Sequence, residues 1–429
     1  MWLTAFDDLD DPRDAALRLA QGAGLAWLDG GLEHGREGRF SFVGSEPCEI
    51  VESAADDADA LAALDRLHTP RDAAVPSPLA ASDVPYWVGH ITYDAARRVH
   101  ASPPHDVPLV RFARYDAWYA FDHRERRAYL VGDDAQACER LRARLAKEPV
   151  RHTEYVTGKV AVTSTERHRA AVRAALALIR EGELYEINLA RRYRARFGGH
   201  ALGLFLQLRS LSPVPLGYFV DGGDHAILGR SMERFLRLDR EHGVLTTSPI
   251  KGTIARGGDD PHEAAELASD PKERAEHAMV VDLMRNDLSR VCEVGSVQIA
   301  ELMAVVPFAG LSHLVSTVQG RVAPDLSLRR LMAETFPPGS VTGAPKERVL
   351  RAIEELEQFE RGVYTGCMGF VDRAGGCSFA VAIRTAIVAA GHVTYFAGGG
   401  IVADSDPQRE ADETDLKAKI FLRALAQTL

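Results

Sequence analysis

The chain has 429 residues, of which 51 are Lys or Arg and 61 are Asp or Glu, so its formal net charge is −10 at pH 7. Hydrophobic residues make up 46% and charged residues 26%, which excludes collagen-like, low-complexity and coiled-coil chains. The length predicts two or three domains, or one large intertwined unit. Net acidity argues against a nucleic-acid partner, although a local group of basic side chains can still bind a small anion.

The five cysteines are scattered and form no Cys-x-x-Cys pair. This pattern argues for a reducing compartment and against a disulfide framework or a zinc site. The N-terminal segment MWLTAFDDLDDPRD lacks the basic and apolar regions of a secretory signal. No uninterrupted apolar run approaches the roughly 18 residues that a membrane span needs. We therefore expect a cytoplasmic protein without a membrane partner.

In the first part of the chain, short aromatic and β-branched runs between turn residues predict strands at 39–44, 84–94 and 116–122. Runs rich in Ala, Leu and Arg predict helices at 54–68 and 134–147. We place a boundary within 148–163, which divides the chain into an N-terminal region, 1–150, and a second region, 151–429.

In the second region, Thr163 and Glu166 have the spacing of a capping box and predict a helix that ends at Gly182. Further strands are predicted at 184–197, 216–220, 225–229, 234–239, 244–248, 366–372 and 378–388. Further helices are predicted at 261–269, 271–291, 327–335, 345–358 and 407–427. Strands outnumber the strand–helix alternations of a doubly wound fold, so the predicted class is α+β with large, mainly antiparallel sheets.

Two predicted helices each carry a Glu-x-x-Glu pair. Glu273 and Glu276 lie three residues apart, as do Glu410 and Glu413, and Lys417 follows Glu413 by one turn on the same face. Four carboxylates from two helices suit a hard cation such as Mg²⁺. For any single pair, a solvated helix face with i,i+4 pairing is the more common explanation.

Other segments carry residues of chemical interest. Lys251 lies in SPIKGT at a strand end, where a partly desolvated lysine can lose its proton and become a nucleophile, although an exposed loop lysine is more common. The glycines at 398–400 follow a predicted strand, and they suit either an anion-binding loop or a tight turn. Arg384 ends an apolar strand and needs an acid, from the protein or from a substrate. His313 by itself is more typical of a hydrogen-bonded core histidine.

These segments occur together in one order: GELYEINL, SMERFL, SPIKGT, KERAEHAMVVDLMRNDL, HLVSTVQG, FPPGSVTGAPK, RGVYTGCMGF, AIRT and GGGIVADSDPQREADET. The array resembles the chorismate-binding enzymes, which include anthranilate synthase component I, aminodeoxychorismate synthase component I and the isochorismate and salicylate synthases. The resemblance is strong over about 165–425 and looser in the N-terminal region. It implies a fold of two intertwined subdomains with large, mainly antiparallel sheets flanked by helices.

Lys251 distinguishes activities within this family. At the SPIKGT segment, anthranilate synthases carry a sequence similar to Pro-Ile-Ala-Gly-Thr. Aminodeoxychorismate synthases carry Pro-Ile-Lys-Gly-Thr, as this chain does. The resemblance therefore implies that chorismate and ammonia are converted to 4-amino-4-deoxychorismate, on the way to p-aminobenzoate and folate. The alternatives are an anthranilate or 2-amino-2-deoxyisochorismate synthase, and a chorismate-binding subunit without turnover. The last is disfavoured because both Glu-x-x-Glu pairs, Glu233 and Lys251 are present.

The resemblance also implies roles in catalysis. Glu276 and Glu413 would bind Mg²⁺ directly, with Glu273 and Glu410 as ligands or through water, and the ion would hold the ring carboxylate.

Glu233 would protonate the departing C4 hydroxyl, which requires a raised pKa. Lys251 would add to C2, ammonia would then displace it by attacking C4, and His313 would stand near the leaving group. The implied substrate-binding residues are Arg384, Tyr364, Lys417, Gly399, Gly400, Thr342, Gly252 and Glu186.

Two positions depart from the family pattern. Glu186 stands where amine-adding members usually carry Gln and isochorismate-forming members carry Lys, so it would orient ammonia, bind substrate or only line the cleft. Asp29 and Gly30 replace the polar pair of the Leu-Glu-Ser motif with which anthranilate synthases bind tryptophan, which argues against tryptophan feedback. Because the length leaves no room for a fused glutaminase, the resemblance predicts a separate glutamine amidotransferase partner, unless free ammonia suffices.

Overall fold

The computed structural model describes residues 1–31, 38–53, 59–70, 75–96, 106–255, 267, 269–308 and 311–426. Within these ranges the chain forms two large antiparallel sheets flanked by helices, so the predicted α+β class is confirmed. In the same ranges, no helix is both long enough and apolar enough to cross a membrane.

The first sheet contains 13 strands within the described ranges. From edge to edge, its order is β1 (Trp2–Ala5), β8 (Arg127–Gly132), β7 (Ala117–Asp122), β3 (Phe40–Gly44), β2 (Ala26–Asp29), β12 (Leu216–Asp221), β13 (His225–Ser231), β22 (Thr385–Ala389), β23 (His392–Ile401), β11 (Glu186–Gly199) and β10 (Ala161–Val162). Strand β11 also pairs with β9 (Tyr155–Thr157) and β19 (Gly343–Ala344).

The second sheet contains 10 strands within the described ranges. Its order is β16 (Ile250–Ala255), β18 (Leu311–Arg321), β15 (Val244–Ser248), β14 (Arg234–Asp239), β21 (Cys377–Val381), β20 (Cys367–Asp372), β5 (Pro85–Ile91), β6 (Val110–Arg114) and β4 (Glu49–Glu52). Strand β17 (Gln298–Phe308) forms a hairpin with β18.

Helices connect these strands. The α-helices are α1 (Pro12–Leu19), α2 (Ala135–Leu145), α3 (Thr165–Arg180), α4 (Ala201–Leu211), α5 (Pro271–Ser289), α6 (Leu328–Thr335), α7 (Lys346–Glu357) and α8 (Pro407–Ala426). Short 3₁₀ segments span Ala60–Arg66, Tyr93–Ala96 and Gly339–Val341. Helix α8 begins as the sequence predicts, because the Asp406 side chain accepts hydrogen bonds from the N–H groups of Gln408 and Arg409 at 3.0 and 2.9 Å.

Both sheets contain strands from both regions of the sequence. Strand β2 pairs with β12, and β5 pairs with β20, so the N-terminal region is joined to the second region by backbone hydrogen bonds in each sheet. One apolar cluster, which includes Val88, Trp118, Tyr218 and Met368, packs strands of one sheet against strands of the other. Burying such a side chain fully stabilises the fold by roughly 1.5–3 kcal/mol. The boundary near residue 150 stays a prediction about the sequence.

Several elements differ from their predicted form. Ser164 caps α3 through a 3.2 Å hydrogen bond from the Arg167 N–H, because the neighbouring Thr163 hydroxyl accepts instead from Arg192 of β11 at 3.1 Å. The predicted strand 378–388 is two strands in different sheets, and the chain crosses between them where Arg384 has a φ of 51°.

Other differences concern missing or partly described elements. The β17–β18 hairpin is absent from the sequence prediction. The helix predicted at 54–68 is a 3₁₀ segment where it is described, and residues 54–58 lie outside the described ranges. The helix predicted at 261–269 lies outside them except for residues 267 and 269.

Candidate active site

An ion pair between Lys251 and Glu186 joins the two sheets. Lys251 lies on β16, at an edge of the second sheet, and Glu186 begins β11 of the first sheet. The Lys251 Nζ donates to Glu186 Oε1 at 2.9 Å, and the two side chains are only 18% and 7% exposed. Two candidate residues that lie 65 positions apart in the sequence are thus in direct contact.

The carboxylates around Lys251 control its charge. Burial lowers the pKa of Lys251, but the nearby Glu186, Glu276 and Glu233 more than offset burial and raise this pKa above its ordinary value. The resting side chain is therefore an ammonium. This differs from the expectation that desolvation alone frees the amine, so a nucleophilic Lys251 needs a proton acceptor.

Glu233 lies in the connection from β13 to β14 and is 4% exposed. Its carbonyl accepts a hydrogen bond from the Val381 N–H at 2.9 Å, which ties the connection to β21. The side-chain Oε1 is buried and has no hydrogen-bond partner among the described residues. Burial raises the pKa of Glu233 to about 7, against the opposing effect of the Ser340 hydroxyl and Lys251. A carboxyl group of this kind can carry a proton near neutral pH, as a general acid must.

His313 lies on β18 beside the chain segment that carries Lys251. Its Nδ1 is 3.1 Å from the Gly252 carbonyl oxygen, at a bulge where Gly252 has a φ of 70°. A carbonyl can only accept, so Nδ1 is the donor. Burial lowers the pKa of His313 to about 4, and the Arg384 charge adds to this effect. The imidazole is therefore neutral, with its lone pair on Nε2.

The carboxylates of Glu410 and Glu413 converge above Gly399 of β23. A Cβ atom built on Gly399 would lie 3.1 Å from Glu410 Oε2 and 3.7 Å from Glu413 Oε1. Burial raises the pKa of Glu410, and the negative charges of Glu413 and Glu276 raise it further. Glu410 Oε2 is buried without a hydrogen-bond partner in the described part of the chain. Carboxylates from α5 and α8 therefore repel each other across one space.

These residues fit a hydrated magnesium ion. Within the described ranges, no group of three or more His, Cys, Asp or Glu residues is close enough to form a complete metal cage. However, Mg²⁺ usually keeps several waters and takes only one or two carboxylates directly. The buried, unpartnered oxygen of Glu410, facing the charge of Glu276, is a donor of the type that this ion prefers. Glu273 adds a further carboxylate close to Gly252, where a Cβ atom would lie 3.1 Å from its Oε2.

Lys417, Arg384 and Tyr364 lie beside these carboxylates, around Gly398. Lys417 Nζ donates to the Gly398 carbonyl at 2.8 Å and lies 2.6 Å from Glu413 Oε1, so the i,i+4 pair exists and also belongs to the site. Arg384 donates to the Lys417 carbonyl at 2.6 Å. The Tyr364 hydroxyl approaches Gly398, where a Cβ atom would lie 2.7 Å away from it.

The three glycines at 398–400 form part of β23 and do not follow it as a loop. The Gly398 carbonyl points away from β11, because it accepts from Lys417. Backbone orientation alternates along a strand, so the Gly400 N–H shares this direction while the Gly399 N–H points toward β11. Gly400 is thus the better placed of the two predicted anion donors.

The segment after α6 packs against β11, and the substrate-binding role of Thr342 stays a prediction. The Thr342 hydroxyl donates to the Pro338 carbonyl at 2.7 Å, and the Thr342 carbonyl accepts from the Asn188 N–H at 2.9 Å. Thr342 therefore holds this segment against β11, and it is Ser340 that interacts with the Glu233 carboxyl.

Sequence reasoning missed Asn188. This residue is 8% exposed, and its Oδ1 is buried with no hydrogen-bond partner in the described ranges. A Cβ atom on Gly398 would lie 2.9 Å from this oxygen. Asn188 follows Glu186 by two residues on one strand, so the two side chains share a face. That alternation was the signal that could have identified it.

The N-terminal departure from the family pattern has a structural counterpart. Asp29 is buried and accepts from Arg230 at 2.6 Å and from Arg209 at 3.1 Å. It lines a cavity between strands of the two sheets, together with residues such as Phe40 and Met368. Asp29, which stands where the family has its polar motif, therefore forms an ion pair. The absence of tryptophan feedback stays a prediction.

Comparisons with known proteins agree on one family. The family model described as chorismate binding enzyme matches residues 29–423. Anthranilate synthase component 1 of Thermus thermophilus is 34% identical, over 98% of this chain and 96% of that protein. Aminodeoxychorismate synthase component 1 of Klebsiella aerogenes is 38% identical, over 79% of this chain and 76% of that protein. The crystal structure of anthranilate synthase component I from Streptococcus pneumoniae has a TM-score of 0.78 at 30% identity, covering 90% of this chain and 93% of that one. The chain belongs to the chorismate binding enzyme family.

Proposed function

We propose that this chain is the synthase component that converts chorismate and ammonia to 4-amino-4-deoxychorismate. The observation that carries the proposal is the position of Lys251: a largely buried lysine that contacts Glu186 and lies near Glu276 and Glu233. A nucleophilic amine in the cleft gives a route to amination at C4, because an enzyme-bound C2 adduct directs ammonia to C4, at the other end of the conjugated diene.

The other side chains have matching roles in this proposal. Glu233 donates its proton to the C4 hydroxyl, Lys251 forms a bond to C2 as the C4–O bond breaks, and ammonia then attacks C4. Arg384, Lys417 and the Gly400 N–H bind the substrate carboxylates. Mg²⁺, held by carboxylates of α5 and α8, would supply positive charge to the ring carboxylate. Neutral His313 borders the leaving group and orients the segment that carries Lys251 through the Gly252 carbonyl.

The names of the relatives support a partner subunit. Both the Thermus and the Klebsiella proteins are called component 1 of their synthases. We propose that this chain also works with a separate glutamine amidotransferase, which would supply ammonia to the cleft.

One observation favours a second candidate, anthranilate synthesis. The Thermus anthranilate synthase component aligns with 98% of this chain, whereas the Klebsiella aminodeoxychorismate synthase component aligns with 79%. Overall similarity therefore does not separate the two activities, and the residue at position 251 does so in our proposal.

Product analysis tests the proposal. The purified chain is incubated with chorismate, ammonium and Mg²⁺, and the products are separated and identified by mass, first alone and then with a glutaminase partner and glutamine. We expect 4-amino-4-deoxychorismate, which yields p-aminobenzoate only after a lyase is added. Anthranilate fluorescence without a lyase would overturn the proposal in favour of the second candidate, and no aminated product at all would overturn both.

A further inference from the structure

Glu186 is placed to act on Lys251 more directly than on a substrate. Its Oε1 accepts from Lys251 Nζ at 2.9 Å, and its side chain is 7% exposed. The Glu186 carboxylate and the Lys251 ammonium both lie close to Gly400 of β23, because a Cβ atom on Gly400 would lie 2.5 Å from Glu186 Oε1 and 3.1 Å from Lys251 Nζ. The glycine thus leaves room for a contact that any larger residue would disturb.

The groups around Lys251 differ in their ability to take its proton. Glu233 must keep its own proton if it is to protonate the leaving hydroxyl, so it is unsuitable as an acceptor. Glu276 of α5 faces Glu410 and is a candidate magnesium ligand. His277 of α5 is fully buried and its Nε2 lies 2.6 Å from the Ser316 hydroxyl, so this ring nitrogen is already engaged away from Lys251. The remaining group is Glu186, which already holds the hydrogen bond.

We propose that Glu186 is a catalytic residue that takes the proton of Lys251 as the amine attacks the substrate and returns it when ammonia displaces the lysine. This inference rests on the proposed function. It assigns to Glu186 a role that a Gln at this position does not offer, because an amide side chain does not accept a proton from an ammonium group.

The protons balance over two steps. In the first, Glu186 takes a proton from the Lys251 ammonium, the C2–Nζ bond forms, the C4–O bond breaks, and Glu233 protonates the hydroxyl, which leaves as water. The adduct nitrogen is a secondary ammonium. In the second, ammonia forms the C4–N bond as the C2–Nζ bond breaks. The released amine regains its proton from Glu186, and the product ammonium returns one to Glu233, so both carboxyl groups are restored.

The experiment measures the first step alone. Wild-type protein, Glu186→Gln and Glu186→Asp are mixed with chorismate and Mg²⁺ without ammonium, and the covalent adduct is followed by intact-protein mass spectrometry between pH 6 and 9. The matched control is Glu183→Gln, because Glu183 forms a surface pair with Arg348 at 2.7 Å, three residues before Glu186. Melting temperatures and circular dichroism show whether each variant is folded.

We expect Glu186→Gln to form the adduct at least about 100-fold more slowly at pH 7, within the range of general base catalysis. In the variant, only bulk solvent can deprotonate Lys251, so its rate relative to the wild-type rate should increase by up to about tenfold for each unit of pH. The deprotonation of Glu233 over the same pH range affects the rates of both proteins equally. Glu186→Asp keeps a carboxylate at shorter reach and should lose about tenfold. Glu183→Gln should match the wild type.

Two results would overturn the inference. One is adduct formation by Glu186→Gln at the wild-type rate at pH 7, and the other is a loss that does not change with pH, which a merely structural role would give. If Glu186→Gln does not fold, Glu186→Ala is measured instead, and a wild-type rate at pH 7 or a pH-independent loss decides in the same way. Failure of the proposed function looks different, because the wild type itself would then form no adduct on Lys251.

Discussion

Two buried ion pairs on β11 and its neighbours show how this fold treats structural and functional charges differently. Arg361 and Glu357 are 1% and 2% exposed, and Arg361 donates to both Glu357 oxygens, to the Thr365 hydroxyl and to the Asn188 carbonyl at 2.7–3.0 Å. Glu357 also accepts from the Ala190 N–H at 2.7 Å. This network connects α7 to β11 through groups that cannot exchange a proton, since a guanidinium stays charged.

The Lys251–Glu186 pair has the opposite character. Its side chains are 18% and 7% exposed, and a lysine can lose its proton when its surroundings favour the amine. It also lies among the charges of Glu276 and Glu233, which one substrate and one metal ion can change. Complete hydrogen bonding and a guanidinium that stays charged therefore characterise the structural pair, whereas a titratable lysine characterises the pair that can react.

The strongest test of this contrast is Lys251→Ala. We expect 4-amination to fall by at least about 10⁴-fold, because removal of a covalent nucleophile eliminates the step that it carries. The melting temperature should also fall, because the variant removes the cation that offsets the surrounding carboxylates and leaves Glu186 without its partner. The assay is amine formation with ammonium, with the exposed Lys159→Ala as control. Full 4-amination by Lys251→Ala would show that Lys251 is not the nucleophile.

Glu233→Gln should have the next largest effect, a loss of about 10³-fold in kcat at pH 6. The reactive form of Glu233 is the protonated one, and its pKa is about 7. The wild-type kcat should therefore decrease as the pH rises through about 7 and be retained below it, whereas the residual rate of the variant should lack this step. A pH–rate profile that is unchanged in the variant would contradict the assignment of Glu233 as the acid.

Arg361→Met should affect stability instead of chemistry. It leaves the Glu357 carboxylate buried without its cation, which costs about 3–5 kcal/mol in unfolding free energy. Urea denaturation measures this loss, and Arg348→Met, at a surface pair with Glu183, is the control with about 1 kcal/mol or less. The fraction of Arg361→Met that remains folded should keep its product pattern. A loss as small as that of the control would show that the saturated pair is not structural.

The smallest expected effect is a gain of stability in Glu233→Gln at alkaline pH. Burial raises the pKa of Glu233 from 4.5 to about 7, so between these values the folded state binds more protons than the unfolded state. Wild-type stability therefore falls as pH rises through this window, by about 1–3 kcal/mol in total. The variant should escape this loss and be more stable than the wild type at pH 8 but not at pH 4. Parallel denaturation curves at both pH values test it.

Much of the fold is readable from local signals in the sequence. Helices α5, α7 and α8 were predictable because Asp, Pro and periodic apolar residues act within a few positions, and strands such as β3 and β7 because aromatic runs end at turn residues. The capping residue of α3 was not predictable from local sequence. Thr163 and Ser164 are equally good caps until β11 supplies a backbone N–H whose hydrogen bond the Thr163 hydroxyl accepts. The β17–β18 hairpin was missed because its apolar residues alternate only weakly, and because β18 is also held by pairing with β15 and β16, which are distant from it in the sequence.

For the site, the sequence by itself determined the set of chemical groups: two Glu-x-x-Glu helices, a lysine before Gly252, and an arginine, Arg384, after an apolar run. Only the tertiary structure decided which of them touch and which charge each carries. Glu186 contacts Lys251 because the edge strand β16 of one sheet lies beside the end of β11 in the other sheet, and the pKa of Glu233 is about 7 because burial removes water from it. Burial and electrostatic interaction act through space, between residues that are distant in the chain, so no local pattern can contain them.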